Sequence, residues 1–249
     1  MSTAIHHYLA MTASEFGACE QFPAKIGWMA CHFSPYSTGL CNLPSALPEG
    51  SLLILNDRTP IHRHDPERIR KTLEDLTSSF GCRGVLLDFE TGGSPEAAAL
   101  SRYLAEMLSC PVILSKSYAV EGAPVFLPPV PLDMPLSQYL GPWQGREIWL
   151  DTALDALEIR LTEAGAARIP VPWEAPMDPD RTDTRLQCRY RVALEKDCAR
   201  FTLYRTRETV EAMLQEAASY GVTAAVGLYQ EWSTCAKSPP CTREADRGQ

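Results

Sequence analysis

The amino-acid sequence predicts an α/β fold, a TIM-like (β/α)8 barrel with an antiparallel hairpin insertion. Patterns typical of buried strands alternate with helical patterns along much of the chain, as in parallel barrels. Two hairpin patterns interrupt this alternation at about residues 155–204, and a helix and a strand follow them. We therefore expect a single barrel domain over residues 1–232, containing the insertion, and a disordered tail over residues 233–249.

Apolar runs mark the predicted strands of the barrel. They cover residues 8–11, 25–33, 51–55, 84–90, 111–114, 125–127, 147–151 and 223–229. The runs at 51–55 and 85–87 contain consecutive apolar residues, which suits parallel strands that are buried on both faces.

Capping residues and helical periodicity mark three helices. The first begins at Asp65-Pro66 and ends before Gly81, the second begins at Ser94-Pro95, and the third ends at Gly221. Their apolar stripes are Ile69, Leu73, Leu76 and Phe80; Leu100, Leu104, Met107 and Leu108; and Val210, Met213, Leu214 and Ala217. Prolines between residues 128 and 135 predict that no regular structure precedes the strand at 147–151.

The insertion is predicted to contain two hairpins. Residues 157–162 pair with 167–171 across a turn at 163–166, and residues 188–194 pair with 199–204 around 195–197. The proline- and aspartate-rich segment 173–186 is predicted to be a loop.

Composition excludes several classes of protein. The formal net charge of -8 argues against a nucleic-acid partner, because phosphate binding needs a basic surface. No run of about 18 apolar residues exists to span a membrane, and the N-terminal residues have no signal-peptide pattern. The nine cysteines include no Cys-x-x-Cys pair, which favours reduced thiols. We expect a cytoplasmic protein.

Two acidic residues end the central strand. Side chains alternate along a strand, so Leu86, Asp88 and Glu90 share one face. If that face points into a barrel, Glu90 lies at the mouth, where such barrels build active sites, with Asp88 beneath it. Hydrolysis of a glycosidic bond needs a carboxyl that donates a proton and a neighbour that tunes it. The alternative is that both carboxylates merely solvate the end of a strand.

The residues Gly84-Val85-Leu86-Leu87-Asp88-Phe89-Glu90 resemble the end of a known signature. Asp-x-x-Asp-x-Asp-x-Glu closes the fourth barrel strand of the chitinase-like glycoside hydrolases of family eighteen. Here it falls on Arg83, Leu86, Asp88 and Glu90, so its last two acidic positions match. Residues 201–213 and 220–226 are similar to the C-terminal part of the sequences of the same family, and the order and spacing of the elements resemble the spore-cortex type most.

Two aromatic positions of the family differ in this chain. The family's sixth strand ends in a Tyr-Asp pair that helps to hold the acetamido group of the substrate, and its best match here is Leu150-Asp151. A tryptophan on the family's last strand forms the floor of the sugar site. That position falls near Leu228, with Tyr229 beside it and Trp232 just beyond.

The resemblance implies a glycoside hydrolase that acts on N-acetylated sugar polymers or glycopeptide fragments and needs no cofactor. The acetamido oxygen of the substrate would be the nucleophile, Glu90 the general acid, and Asp88 the group that orients the acetamido. The remaining candidate substrate-binding residues are Asp57, Asp151, Tyr229 and Trp232. The alternative is a carbohydrate-binding barrel that has lost turnover. A purely structural Glu90 would instead pair with a cation such as Arg58 or Arg83.

The His-x-His step at His62 and His64 suggests a metal pair, but all five histidines precede residue 65. Later strands therefore supply no histidine ligand, and we predict a polar loop with Asp65 as a helix cap rather than a metal site. Cys31 and His32 point to opposite faces of a strand, so a thiol–imidazole pair is not expected.

Overall fold

The computed structural model describes residues 5–18, 25–61, 64–173 and 181–235. Fourteen strands occur in this part of the chain. They are β1 (His6–Met11), β2 (Ile26–Phe33), β3 (Leu40–Cys41), β4 (Leu52–Asn56), β5 (Gly84–Asp88), β6 (Val112–Ser115), β7 (Val125–Leu127), β8 (Ile148–Asp151), β9 (Ala156–Thr162), β10 (Gly165–Val171), β11 (Arg181–Asp183), β12 (Cys188–Glu195), β13 (Cys198–Tyr204) and β14 (Val222–Leu228).

Eight parallel strands form a closed barrel. The sheet runs in the order β1-β14-β8-β7-β6-β5-β4-β2, and β1 also pairs with β2, so the two ends meet. β3 adds a short antiparallel pairing to β2 within the stretch that follows the second barrel strand. The predicted TIM-like barrel is confirmed.

Six α-helices lie in the described part of the chain. They are α1 (Ala13–Ala18), α2 (Pro66–Phe80), α3 (Pro95–Met107), α4 (Leu136–Leu140), α5 (Arg207–Ala217) and α6 (Tyr229–Cys235). Asp65 caps α2 by accepting from two backbone N–H groups, and Gly81 ends it with a φ of 60°. Ser94 caps α3 by accepting from the N–H of Ala97, so both predicted helix starts are confirmed.

Three details of the sequence prediction are wrong. Within the predicted stripe of α3, Leu100, Leu104 and Leu108 are buried, but Met107 is 50% exposed, and the helix buries Ala97 and Ser101 as well. α4 begins directly after Pro135, whose fixed φ suits the start of a helix. The tail does not begin at Ser233, since α6 extends to Cys235. Residues 236–249 lie outside the described residues.

The barrel interior is filled by one apolar cluster. Its buried members come from strands all round the barrel and include Tyr8, Leu52, Ile54, Leu86, Ile113, Phe126, Trp149, Ala224 and Val226. The rings of Tyr8 and Trp149 stack at 5.4 Å. Because Leu86 and Trp149 point inward, the next residues on the same faces, Asp88 and Asp151, also point inward.

The insertion is a five-stranded antiparallel sheet in the order β10-β9-β13-β12-β11, between the seventh and eighth barrel strands in sequence. Both predicted hairpins are present, and β9 pairs with β13 to join them. β11 lies within the segment predicted to be a loop, and residues 174–180 of that segment are outside the described residues. The single-domain assignment of residues 1–232 stays a prediction.

A buried arginine joins the insertion to the barrel. Arg205 follows β13 and is only 1% exposed. Its guanidinium lies 3.7 Å from the carboxylate of Asp155 and donates to the carbonyl oxygen of Val130. Asp155 follows β8 and Val130 follows β7, so the end of the insertion is attached to two neighbouring loops of the barrel rim. No described helix is long and apolar enough to cross a membrane.

Gly84 provides a test of how tightly the central strand is packed. A Cβ at this position would lie 2.5 Å from the carbonyl oxygen of Pro111, which is rigid backbone. We expect Gly84→Ala to lower the free energy of unfolding by about 1–3 kcal/mol in urea denaturation. Gly92→Ala is the control, because a Cβ there would meet no atom within 4 Å. Equal stabilities of the two variants would contradict this packing.

Candidate functional site

A cavity of about 260 Å³ opens at the carboxyl end of the barrel strands. Asp88 at the end of β5 and Asp151 at the end of β8 line it, together with Glu90. Ser115, Lys116, Ser117, Phe126, Pro128 and Pro129 complete much of the wall. The cavity therefore has three carboxyl groups and a single lysine among its described lining residues.

Burial changes the protonation of the two aspartates. The pKa of Asp88 is raised to about 6, mainly by loss of hydration and also by the nearby charges of Glu90 and Asp57, against an opposing effect of Arg58. The pKa of Asp151 is raised to about 7, mainly by loss of hydration and also by the carboxylates of Asp88 and Glu231. Near pH 6 the cavity therefore holds carboxyl protons on both strands.

Glu90 lies in the loop after β5 and its side chain is exposed. Among the described residues it forms no ion pair, so neither Arg58 nor Arg83 neutralises it there. From the sequence we expected Glu90 to donate the proton and Asp88 to be its tuning neighbour. The raised pKa values belong to Asp88 and Asp151, because these two are desolvated.

Asp57 fixes the backbone that carries Glu90. One carboxylate oxygen accepts from the N–H of Glu90 at 3.0 Å, and the other accepts from the N–H of Thr91 at 2.9 Å. Asp57 follows β4, the neighbour of β5 in the barrel, so these two hydrogen bonds link the ends of adjacent strands. Asp57 thus contacts the Glu90 loop directly, and its predicted role in substrate binding stays a prediction.

The other side of the loop is held by residues after β6. The hydroxyl of Ser115 accepts from the N–H of Phe89 at 2.9 Å and donates to the carbonyl oxygen of Leu87 at 2.8 Å. The hydroxyl of Tyr118 donates to the carbonyl oxygen of Thr91. The Glu90 loop is therefore fastened to the strand ends on both of its flanks.

The two aromatic candidates near the last strand lie outside the cavity lining. Trp232 is 5% exposed, donates from its indole N–H to the carbonyl oxygen of Thr152, and meets the edge of the His7 ring at 4.3 Å. It belongs to the apolar layer outside the barrel, as does half-buried Tyr229. Leu228, at the position of the expected floor, is 40% exposed. The structure does not bring Tyr229 and Trp232 together with the carboxyl groups.

Asp151 does reach the cavity, but from a different strand than expected. The resemblance matched Leu150-Asp151 to the sixth barrel strand, and the structure shows this strand to be the seventh. The match to the family's sixth strand is therefore wrong, whereas the order of the predicted strands already placed residues 147–151 seventh. Sequence reasoning also missed Ser115 and Lys116, although both lie at a strand end on the expected face.

The histidine step forms no metal site in the described part of the chain. No group of three or more His, Cys, Asp or Glu side chains there could hold a metal ion. His64 places its two ring nitrogens 2.9 Å from the carbonyl oxygen of Ile61 and 3.1 Å from that of Ser34, and His62 lies outside the described residues. Burial raises the pKa of the Cys31 thiol to about 12, while His32 contacts Asn42 instead.

Comparison with known proteins gives similarity in structure only. No family model matches the chain, and no curated protein matches it in sequence. The spore cortex-lytic enzyme SleL of Bacillus cereus aligns with a TM-score of 0.58 at 9% identity, over 95% of this chain and 74% of that chain. A family 18 chitinase of Cycas revoluta in complex with allosamidin gives a TM-score of 0.54 at 13% identity, over 89% and 94%.

A third solved structure agrees with these two. It is a mutant class V chitinase of Nicotiana tobaccum in complex with NAG4, with a TM-score of 0.55 at 10% identity, over 90% of this chain and 93% of that chain. The chain therefore has a fold like that of the family 18 glycoside hydrolases. At these identities the similarity concerns the fold alone.

The buried aspartates predict how stability depends on pH. A carboxyl whose pKa is higher in the folded than in the unfolded state stabilises the fold below its unfolded pKa, and this stability is lost as the pH rises through the folded pKa. For Asp151 the loss falls between about pH 4 and pH 7. We expect Asp151→Asn to raise the free energy of unfolding by about 2 kcal/mol at pH 8 and very little at pH 4, in urea denaturation. Asp197→Asn, in an exposed hairpin turn, is the control. An equal effect of Asp151→Asn at both pH values would contradict the raised pKa.

Loss of a hydrogen bond to Asp57 should make the backbone of the Glu90 loop more mobile. An amide nitrogen cannot accept a hydrogen bond, so Asp57→Asn loses one of the two bonds. We expect hydrogen exchange at the N–H groups of Glu90 and Thr91 to become about tenfold faster. Asp183→Asn is the control, because a single oxygen of Asp183 accepts from the N–H groups of both Arg185 and Leu186, so the amide oxygen of the variant can keep both bonds. Unchanged exchange at Glu90 and Thr91 would refute the positioning role.

Proposed function

We propose that the chain is a glycoside hydrolase that acts on N-acetylated sugar polymers or their fragments. The observation that supports this proposal best is the cavity at the barrel mouth, where the ends of β5 and β8 direct Asp88 and Asp151 inward beside Glu90. The fold also supports it, since the solved structures with a similar barrel include a cortex-lytic enzyme and chitinases. A carbohydrate or glycopeptide is the proposed ligand, and a cytoplasmic location remains part of the proposal.

The proposed mechanism uses the substrate's own acetamido group. Its oxygen attacks the anomeric carbon while the bond to the leaving sugar oxygen breaks, and Glu90 gives its proton to that oxygen. Water then opens the cyclic intermediate and returns a proton to Glu90. Because only one protein acid is required, a single well-positioned Glu90 suffices, and the hydrogen bonds from Asp57 to its loop provide that positioning.

The two aspartates take different parts in this mechanism. Asp88, beneath Glu90, would hydrogen bond to the acetamido group and orient its oxygen towards the anomeric carbon. Asp151 comes from the strand end of β8 and would bind the sugar as a hydrogen-bond donor when it is protonated. Asp57 would act through the Glu90 loop rather than by touching the sugar.

A second candidate is a carbohydrate-binding barrel without turnover. The end of the last barrel strand favours it, because Leu228 occupies the position of the expected aromatic floor and the indole of Trp232 is buried outside the barrel. A site without this floor holds a sugar ring less firmly against its acid. A measurement of substrate turnover distinguishes the glycoside hydrolase from the carbohydrate-binding barrel.

Incubation with N-acetylglucosamine oligomers and with muropeptides tests the proposal. We expect product release by the wild-type protein and a loss of at least about 100-fold in the rate for Glu90→Gln, because general acid catalysis contributes about 10²–10⁴-fold. Binding of the oligomer should persist in Glu90→Gln, since the amide keeps the shape of the side chain.

Glu96→Gln is the matched control, because Glu96 is exposed in the first turn of α3 and does not line the cavity. If the wild-type protein binds the oligomer without releasing product, the result would support the carbohydrate-binding barrel without turnover. Full activity of Glu90→Gln would remove Glu90 from the mechanism.

A further inference from the structure

A second groove lies at the same end of the barrel, beside the loops that follow β2 and β4. Its volume is about 500 Å³. The described lining residues include Ser34, Tyr36, Ser37, Thr38, Thr59 and His64. None of the described lining side chains is a carboxylate, an ammonium or a guanidinium group, in contrast to the acidic cavity beside it. This wall of hydroxyl groups suits an uncharged ligand that is rich in hydroxyl groups.

Tyr36 is the aromatic side chain of this groove, and it is 96% exposed. This exposed fraction is the highest among the large hydrophobic side chains that the structure describes. A phenol ring so far from any packing contributes little burial to the fold. Both of its faces are therefore accessible to a flat, partly apolar partner such as a sugar ring.

The turn that carries Tyr36 is fixed by hydrogen bonds. The hydroxyl of Ser34 accepts from the N–H of Tyr36 at 3.2 Å and from the N–H of Ser37 at 3.1 Å. The N–H of Ser34 donates to the carbonyl oxygen of Gly39, and the N–H of Asp65 donates to that of Thr38. These bonds involve backbone atoms of the turn and do not use the phenol ring, so they fix the backbone that carries Tyr36 and leave its ring accessible to a ligand.

The groove and the carboxyl cavity are linked by residues that lie close together in the sequence. Thr59 lines the groove, and Asp57, two residues earlier, holds the Glu90 loop. The strands that precede these segments, β2, β4 and β5, are consecutive neighbours in the barrel. A ligand chain that leaves the carboxyl cavity towards β4 would therefore next meet the groove with Tyr36.

We propose that this groove is an accessory carbohydrate subsite, in which Tyr36 stacks on a sugar ring of a long oligosaccharide whose other end occupies the carboxyl cavity. The inference rests on the proposed function, because it assumes a carbohydrate chain in that cavity. It adds a preference for longer chains and names the residue that provides it.

Titration calorimetry with the N-acetylglucosamine dimer and hexamer tests the subsite, in the wild-type protein, Tyr36→Ala and Tyr36→Phe. We expect Tyr36→Ala to weaken hexamer binding by about five- to tenfold and to leave dimer binding within about twofold. Tyr36→Phe should keep the hexamer affinity, because the ring remains. Leu194→Ala is the control, since Leu194 is 81% exposed on the insertion and does not line the groove.

The outcomes distinguish a failure of the proposed subsite from a failure of the proposed function on which it rests. Equal weakening of the dimer and the hexamer in Tyr36→Ala, or no weakening of either, would overturn the subsite while the carbohydrate function stands. Failure of both oligomers to bind the wild-type protein would overturn the proposed function and the subsite with it. Thermal melting of each variant shows whether the fold is retained, and the dimer affinity serves as the internal reference.

Discussion

Closure of the sheet is the constraint on which the structure depends. β1 pairs with β14 on one side and with β2 on the other, and these hydrogen bonds convert an open sheet into a ring. In a closed parallel barrel all strands end at one rim, so side chains that are distant in sequence meet there. Asp88 and Asp151 are 63 positions apart in the chain and line one cavity for this reason.

The same closure sets the electrostatics of the site. The interior beneath the rim is filled by apolar side chains such as Leu86, Phe126 and Trp149, so the aspartates above them lose hydration. Glu90 lies one step further out and remains exposed. The chain thus places two carboxyl groups with raised pKa values below a third carboxyl group at the opening. Carboxyl groups so placed can take part in proton transfer to a bound ligand.

The sequence alone predicted those features that depend on neighbours in the chain. The Asp65 cap, the Gly81 stop and both hairpins of the insertion are local, and all were confirmed. The helix α4 was missed because the prolines before it mask its start. The burial of Trp232 and the hydrogen bonds that the Glu90 loop donates to Asp57 depend on tertiary packing. The sequence around a single residue at a strand end, such as Asp57, does not indicate which neighbouring loop its side chain will contact.

The most direct test of this account is an NMR titration of the side-chain carboxyl carbons. Burial at the rim of a closed barrel predicts that Asp88 titrates near pH 6 and Asp151 near pH 7, well above the ordinary value of about 3.9. It also predicts that Asp88→Asn lowers the titration midpoint of Asp151, because the charge of Asp88 contributes to the raised pKa. Titration of both groups near pH 4, each indifferent to the other, would show that they do not share a desolvated cavity.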